Sequence, residues 1–317
     1  MADARPATTL LYGDTGSTKT TQIGMIARWE YERTGRITRL ISADAGWEPL
    51  EPLIAEGIIE PWGIQYVTDP FGVLTKLADG YWPQIQPGGK LKMFPPTEET
   101  WKRVGMYAVE GLSTIGNICL MNHVHNARKV GEGTVGQFSQ QVETDKGTEV
   151  MQFGKAAMSH FGHVQDFVLL ELVPRFAYLP VAHIIWTAHE TRGDDKEMGD
   201  MGKGKALGPA TVGKATAKKT GMKFGDTFHL VKVVTAQREK GRLVMGPDGR
   251  SLQEVSYRAF YEDHPDEDLV NMNWPAKVST PVDQIRALHS RFPGGYVPLE
   301  IETGITTYLD FKYGGKK

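Results

Sequence analysis

The sequence predicts an α/β fold in which helices flank a central, mostly parallel sheet. Short apolar runs typical of strands alternate with segments of helical periodicity, and no internal repeat is visible. The first apolar run leads directly into a glycine-bearing loop, which a helical segment follows. Because strands separated by helical segments favour parallel pairing, this alternation predicts a sheet with helices on both faces.

The individual elements follow from local patterns taken in chain order. The run TTLLY predicts the first strand, and apolar residues at helical spacing predict a helix over residues 20–33. The run VAHIIWT, at residues 181–187, predicts a buried strand. The other expected strands are 37–43, 63–68, 104–112, 226–235 and 242–245, and the other expected helices are 70–79 and 171–178.

The same patterns divide the chain into a core over residues 1–240 and a small C-terminal extension over residues 241–317. Clustered prolines and glycines predict an irregular insert at about 81–103. Residues 125–152 and 191–223 are polar and glycine-bearing, and we expect mobile loops there, because connections of this length are usually functional or disordered. The tail alternates like short strands, so the extension is expected to be a β-rich appendage.

Composition and charge limit the classes of function. The 317 residues carry 36 basic and 38 acidic side chains, a net charge of −2, so nucleic-acid binding would need a local basic patch. No stretch approaches the roughly 18 apolar residues of a membrane span. The N-terminus lacks the apolar core of a secretion signal, and the single cysteine, Cys119, excludes an internal disulfide. A cytoplasmic protein with no membrane partner is therefore expected.

The loop after the first strand carries a phosphate-binding pattern. Residues 13–20, GDTGSTKT, nearly fit G-x-x-x-x-G-K-[ST], which turns backbone N–H groups towards a triphosphate. Lys19 would reach the β- and γ-phosphates, and the Thr20 hydroxyl would hold Mg²⁺. Thr18 stands where the motif has its second glycine, a poor exchange if φ must be positive. A plain glycine turn is the alternative, but the strand before, the helix after and the run KTT favour nucleotide binding.

Polar residues that end predicted strands supply the remaining chemistry, at the edge where α/β sheets place ligands. Glu110 ends the strand MYAVE and is the expected acid on the metal side, directly or through water. Asp44 follows RLISA and is expected to orient the attacking water, with Glu48 as a second candidate. His189, just past IIWT, is placed to sense the γ-phosphate. The alternatives are a turn or N-cap aspartate and a hydrogen-bonded loop histidine.

In their order, these segments resemble the RecA-like P-loop ATPase superfamily, especially its phage-encoded members. LLYGDTGSTKTT is similar to the Walker A loop, and RLISADAGWEPLEPLIAEGI to the strand that carries the catalytic carboxylate. MYAVEGLSTI resembles the Walker B strand, and IIWTAHETRG the strand that couples nucleotide state to a DNA loop. The resemblance covers residues 8–234. This chain departs from the family's usual carboxylates at Asp44 and Glu110 and from the recombinases' usual glutamine at His189.

The resemblance implies a RecA-like core that binds ATP and Mg²⁺ and acts as a DNA-dependent ATPase in recombination or single-strand annealing. It implies catalytic roles for Lys19, Asp44, Glu110 and His189, with Mg²⁺ on Thr20 and Glu110. The implied ATP contacts are Gly13, Asp14, Thr15, Gly16, Ser17, Thr18, Lys19, Thr20 and Thr21. The implied active form is a homo-oligomeric ring or filament. Its implied partners are single-stranded DNA and a single-strand binding protein, in the host cytoplasm if the chain is phage-encoded.

The segment after His189 is locally basic. Between residues 202 and 223 it contains six lysines and no acidic residue. Lysines on a loop bind phosphates without reading sequence, and the candidate DNA contacts are Lys203, Lys205, Lys214, Lys218 and Lys219. The alternative is a solvated loop, since only Phe224 lies close enough to stack on a base.

Two further groups of residues have open interpretations. A cation could complete the ATP site of a neighbouring subunit, and the candidates are Lys214, Lys218, Arg238 and Lys240. Paired histidines have a spacing that zinc sites use, although no thiol or carboxylate pattern accompanies them: His123, His125, His160 and His163. Surface or core positions are the alternative for these histidines.

Two other functions remain possible on the sequence alone. Thr18, Asp44 and Glu110 also fit a module that binds nucleotide with little hydrolysis. A motor-type ATPase that acts on double-stranded DNA in replication or packaging is the third candidate.

Overall fold

A computed structural model of the chain describes residues 6–44, 46–64, 67–129, 137–144, 147–154, 158–192, 207–211, 220–239, 242–245, 250–265, 273–280 and 282–314. The strands are β1 (Ala7–Gly13), β2 (Ile37–Ser42), β3 (Ile59–Gly63), β4 (Trp82–Ile85), β5 (Leu91–Phe94), β6 (Val104–Glu110), β7 (Gln137–Thr144), β8 (Gly147–Gly154), β9 (His183–Arg192), β10 (Leu207–Pro209), β11 (Asp226–Ala236), β12 (Arg238–Glu239), β13 (Arg242–Leu243), β14 (Gln253–Phe260), β15 (His264–Pro265), β16 (Asn273–Trp274) and β17 (Tyr296–Pro298).

The helices are α1 (Lys19–Thr34), α2 (Glu51–Ala55), α3 (Pro70–Ala78), α4 (Glu98–Arg103), α5 (Leu112–Lys129), α6 (Met158–Asp166), α7 (Val173–Phe176), α8 (Val282–Arg291) and α9 (Thr306–Tyr313). A 3₁₀ turn at Glu48–Leu50 precedes α2, and a π-helical turn at Phe167–Leu172 joins α6 to α7. Within the described residues, no helix has the length and apolar character that crossing a membrane requires.

A nine-stranded sheet forms the centre of the molecule, in the order β17-β14-β11-β1-β9-β6-β2-β3, with β10 paired to β9. All pairings from β11 to β3 are parallel, whereas β14, β17 and β10 add antiparallel pairings. The strands β2 and β6 are buried along their whole length, as expected for parallel strands covered on both faces. The predicted α/β class with a mostly parallel sheet is therefore confirmed.

Each face of the sheet has its own hydrophobic core. One core joins Leu11, Leu40 and Ile185 of the sheet to Ile23 of α1 and Tyr308 of α9. The opposite core packs α3, α5 and the segment around α7 against residues such as Tyr12, Val109 and Trp186. Alternate residues of one strand therefore face different helices, and a one-residue step along a strand changes the face.

Helix α1 covers the first of these faces and fixes the position of the loop that precedes it. Its inward side carries the buried Ile23, Ile26 and Ala27 at helical spacing. The helix ends at Gly35, which has φ of 70° and donates its N–H to the Tyr31 carbonyl oxygen at 2.8 Å. Glycine takes this left-handed conformation without steric cost, so the helix stops there.

The C-terminal residues do not form the β-rich appendage expected from the sequence. Strands β14 and β17 continue the central sheet beyond β11. The tail from residue 279, expected to form short strands, contains the two helices α8 and α9, which pack in the core under α1. The segment TTYLDFKY has the alternation of a strand, but it forms helix α9. Its Tyr308 is buried and packs edge-on against Phe228 of the sheet.

Several expected boundaries and loops differ from the structure. The strand expected at 63–68 is Ile59–Gly63, because Ile59 is the buried residue that pairs with Thr38. The insert expected at 81–103 is ordered as the hairpin β4–β5 followed by α4. The loop expected at 125–152 is occupied by the end of α5 and the hairpin β7–β8. In the expected loop 191–223, the described parts include the end of β9 and β10.

The last helix is tied to the sheet by a buried ion pair. Lys312 Nζ lies 2.6 Å from Asp226 Oδ2, and the Asp226 side chain is 1% exposed. We expect Lys312→Met to lower the free energy of unfolding by about 3 kcal/mol, because it leaves the buried carboxylate without its cation. Urea denaturation at neutral pH measures this loss.

The matched control is Arg28→Met, which removes an exposed pair with Glu56 and is expected to cost far less, because solvent screens exposed ion pairs. Equal losses for the two variants would contradict a special role of the buried pair.

Candidate functional site

The loop between β1 and α1 forms one side of the site. Gly13 ends β1, and a Cβ there would lie 2.7 Å from the Ser17 hydroxyl oxygen, so the loop closes tightly on itself. Ser17 donates its N–H to the Asp14 carbonyl oxygen at 3.2 Å, and Gly16 has φ of 78°. Helix α1 starts directly after this turn, and the first N–H groups of a helix lack intrahelical partners. The end of the loop therefore presents the first backbone N–H groups of α1, and a helix N-terminus of this kind favours an anion.

Thr18, which replaces the second motif glycine, adopts the conformation that the glycine would. Its φ is 70° and its ψ 14°, and among the described residues no other non-glycine residue has a positive φ. A β-branched residue is strained in this left-handed region. The local geometry of the loop is thus kept in spite of the substitution, at an energetic cost.

Lys19 lies over the loop. Its Nζ donates to the carbonyl oxygens of Gly13 at 2.9 Å and Asp14 at 2.8 Å, and more weakly to the Ser17 hydroxyl at 3.3 Å. Burial lowers the pKa of Lys19, while the negative charges of the nearby carboxylates act in the opposite direction. These carboxylates belong to Asp14, Asp44, Glu190 and Glu110.

The Glu110 carboxylate joins α1 to the sheet. Thr20 donates its hydroxyl hydrogen to Glu110 Oε1, and the Ser42 hydroxyl donates to Glu110 Oε2 at 3.0 Å. Glu110 is 3% exposed, and burial raises the pKa of its carboxyl, an effect that the two hydroxyl donors oppose. A carboxylate between two hydroxyls at a helix N-terminus is an oxygen-rich environment that suits a hard cation.

Asp44 and His189 lie beside this carboxylate. Asp44 Oδ1 accepts a hydrogen bond of 2.5 Å from the Thr114 hydroxyl, and Asp44 Oδ2 is 3.9 Å from His189 Nε2. Both side chains are partly exposed, Asp44 by 29% and His189 by 42%. They therefore remain accessible to a ligand, whereas Glu110 is not exposed.

Strand register explains why these residues meet. Glu110 pairs with Ser42 across β6 and β2, and His189 pairs with Gly13 across β9 and β1. Each of the three residues lies an even number of positions after a residue of the core under α1, so its side chain is on the same face of its strand. Ser42 follows Leu40, Glu110 follows Ala108, and His189 follows Ile185. These three side chains consequently lie on the sheet face that α1 covers, at the carboxyl edge of the sheet, where α1 begins.

Four supporting residues were missed by sequence reasoning. Ser42 contacts Glu110, and Thr114 contacts Asp44. Thr187 accepts the Gly111 N–H at 3.0 Å, and the Ser113 hydroxyl accepts the His189 N–H at 3.1 Å. The signal for Ser42 was available, because it ends the strand two residues before Asp44. The other contacts depend on how neighbouring strands align.

Gly111 is a second position where only glycine fits. Its φ is 83°, and a Cβ would lie 2.7 Å from Asp44 Oδ2. The absence of a side chain directly after Glu110 therefore lets Asp44 approach.

The remaining expected residues are placed as follows. Glu48 is exposed in the 3₁₀ turn after Asp44. The five lysines expected to bind DNA lie outside the described residues, as does Lys240. His123 stacks on His163 at 4.5 Å between ring centroids, but in the described part of the chain no group of three or more metal-ligating side chains occurs.

The residues present fit Mg²⁺. This ion keeps several waters and takes few protein ligands besides substrate phosphates, so one hydroxyl and one carboxylate suffice. Thr20 and Glu110 supply these groups in direct contact with each other.

Neither a protein-family model nor a curated protein matches the chain.

The strain at Thr18 gives a prediction. Thr18→Gly is expected to raise the free energy of unfolding by up to about 1 kcal/mol, because relief of roughly 1–2 kcal/mol exceeds the entropy cost of glycine. Thermal or urea denaturation measures the change. Thr15→Gly is the control. Thr15 has no positive φ, so this variant relieves no strain and should be less stable than the wild type.

Proposed function

We propose that the protein is a RecA-like P-loop ATPase that binds ATP with Mg²⁺ at the carboxyl edge of its sheet. The observation that carries the proposal is the contact between Thr20, in the loop at the start of α1, and the buried Glu110 carboxylate. Asp44, which follows β2, and His189 of β9 lie at the same edge of the sheet, with β6 between these two strands. A glycine turn without function would not require this convergence.

The loop and Lys19 would bind the phosphates. The helix N-terminus favours negative charge, and Lys19 adds a cation whose present acceptors are the carbonyl oxygens of Gly13 and Asp14. Phosphate oxygens are stronger acceptors than carbonyl oxygens, so Lys19 would exchange these bonds for contacts with the β- and γ-phosphates. Residues 13–21 together would form the phosphate site.

Thr20 and Glu110 would hold Mg²⁺, which when bound neutralises phosphate charge. Burial raises the pKa of the Glu110 carboxyl, and a neighbouring cation would favour its ionised form. Ser42 would keep the carboxylate oriented through its hydroxyl, which donates at 3.0 Å.

Asp44 would orient the attacking water, and His189 would sense the γ-phosphate. Asp44 is fixed by Thr114 and remains partly exposed, as a group that contacts water must be. His189 lies in β9, which precedes the basic segment, and its carbonyl oxygen accepts the N–H of Ala210 from that segment at 2.6 Å. A change at His189 would therefore reach that segment directly.

The proposed role is DNA-dependent ATP hydrolysis in recombination or single-strand annealing by a ring or filament of subunits. The lysine-rich composition of residues 202–223 supports the DNA part, together with the position of their flanking strands beside His189.

A nucleotide-binding module with little hydrolysis is the second candidate. The strained Thr18 and the direct Thr20–Glu110 hydrogen bond favour it, because this bond must open or be shared when a metal binds.

The binding step is tested by Lys19→Ala. It is expected to abolish ATP binding, because the side chain is the central cation of the loop, whereas Lys102→Ala on the exposed helix α4 should leave affinity unchanged. Equilibrium titration with ATP and Mg²⁺ measures both. Unchanged affinity of Lys19→Ala would defeat the proposal.

The hydrolytic step is tested by steady-state phosphate release. Asp44→Asn is expected to slow release by about a hundredfold, since it removes the group that orients water. A wild-type rate equal to that of Glu110→Gln would instead support the binding module. Stronger stimulation by double- than by single-stranded DNA at matched salt would favour a motor.

A further inference from the structure

A groove runs along the outer side of α1, starting where the phosphate loop ends. It has a volume of about 350 Å³, within the range of ligand pockets. Thr21, Met25 and Arg28 of α1 line the groove, as does Glu302 from the C-terminal segment. From Thr21 to Arg28 it follows the helix axis for about 10 Å, at 1.5 Å per residue.

The walls of the groove combine apolar and polar groups. Pro49 and Leu53, from the segment after Asp44, form an apolar wall together with Met25. Glu302 and Thr306, from the C-terminal segment, supply hydrogen-bonding groups. The lining also includes the charged side chains of Arg28 and Glu32. An apolar wall combined with such polar groups suits a flat ring that carries N–H or O–H donors.

The C-terminal segment is anchored beside the phosphate loop. Ile305 donates its N–H to Gln22 Oε1 at 2.8 Å, and both residues are buried. Gly304 has φ of 50°, and a Cβ at this position would collide with Gln22 and Met25. This close approach holds Glu302 over the first turns of α1.

The direction of a bound triphosphate follows from the site described above. Glu110, Asp44 and His189 lie on the sheet side of the loop, so the γ-phosphate would point there. The other end of the triphosphate must then leave the loop away from the sheet. Thr21, one residue after Thr20, is partly exposed and opens into the groove.

We propose that this groove binds the nucleoside part of the nucleoside triphosphate, with Met25, Pro49 and Leu53 against the ring and Glu302 accepting a hydrogen bond from it. The inference rests on the proposed function, because it takes the triphosphate to lie on residues 13–21. It assigns to the C-terminal segment a part in substrate selection, which the sequence did not indicate.

The experiment compares two ligands, ATP and inorganic tripolyphosphate, each titrated with Mg²⁺ against wild type and four variants. The affinity for tripolyphosphate measures binding to the phosphate loop alone. The ratio of the ATP affinity to the tripolyphosphate affinity measures the contribution of the groove. Met25→Trp fills the groove and Glu302→Ala removes its acceptor. The matched controls are Met121→Trp, at an exposed position of α5, and Glu300→Ala, at an exposed position outside the groove.

We expect wild type to bind ATP at least about tenfold more tightly than tripolyphosphate, a difference of about 1.4 kcal/mol. Met25→Trp should abolish this preference while tripolyphosphate binding persists, which also shows that the variant is folded. Glu302→Ala should reduce the preference, and the controls should keep it. A preference that survives both groove variants overturns the inference and leaves the proposed function standing. Failure of wild type to bind either ligand overturns both.

Discussion

The buried Glu110 carboxylate is the constraint on which the site depends. It accepts hydroxyl hydrogens from Thr20 on α1 and Ser42 on β2, so one side chain links the helix start to two adjacent strands. A buried carboxylate without such donors would be costly, and each donor is fixed by its own element. The position of the loop at residues 13–18 relative to the sheet is therefore set by polar contacts as well as by the core beneath α1.

The surrounding site is assembled by strand geometry rather than by proximity in sequence. Residues that end β1, β2, β6 and β9 meet because these strands are parallel neighbours, and alternation decides which side chains face α1. Glycines permit the closest approaches: Gly111 leaves room for Asp44, and Gly13 for the return of the loop. Thr18 differs from these glycines, because it adopts the left-handed conformation in spite of its side chain.

The fold class and the placement of Glu110, Asp44 and His189 at the carboxyl edge could be predicted from the sequence, because periodicity and strand ends are local signals. Ser113, Thr114 and Thr187 could not be found this way, since their contacts depend on strand register. The C-terminal helices were missed for another reason. In helix α9 the apolar Leu309, Phe311 and Tyr313 alternate with Asp310 and Lys312, a pattern that is typical of a strand. RecA-like ancestry and the role of the basic segment remain predictions.

The route of the chain has a consequence for synthesis. Helix α9, which is translated after α1, covers the same core as α1. Trp29 also donates to Asp310 at 2.7 Å, across nearly the whole length of the sequence. While the polypeptide is still emerging from the ribosome, the apolar side of α1 lacks this cover. The packing around α1 is thus completed only after residues 306–313 have been synthesised, and until then a nascent chain would expose this apolar surface.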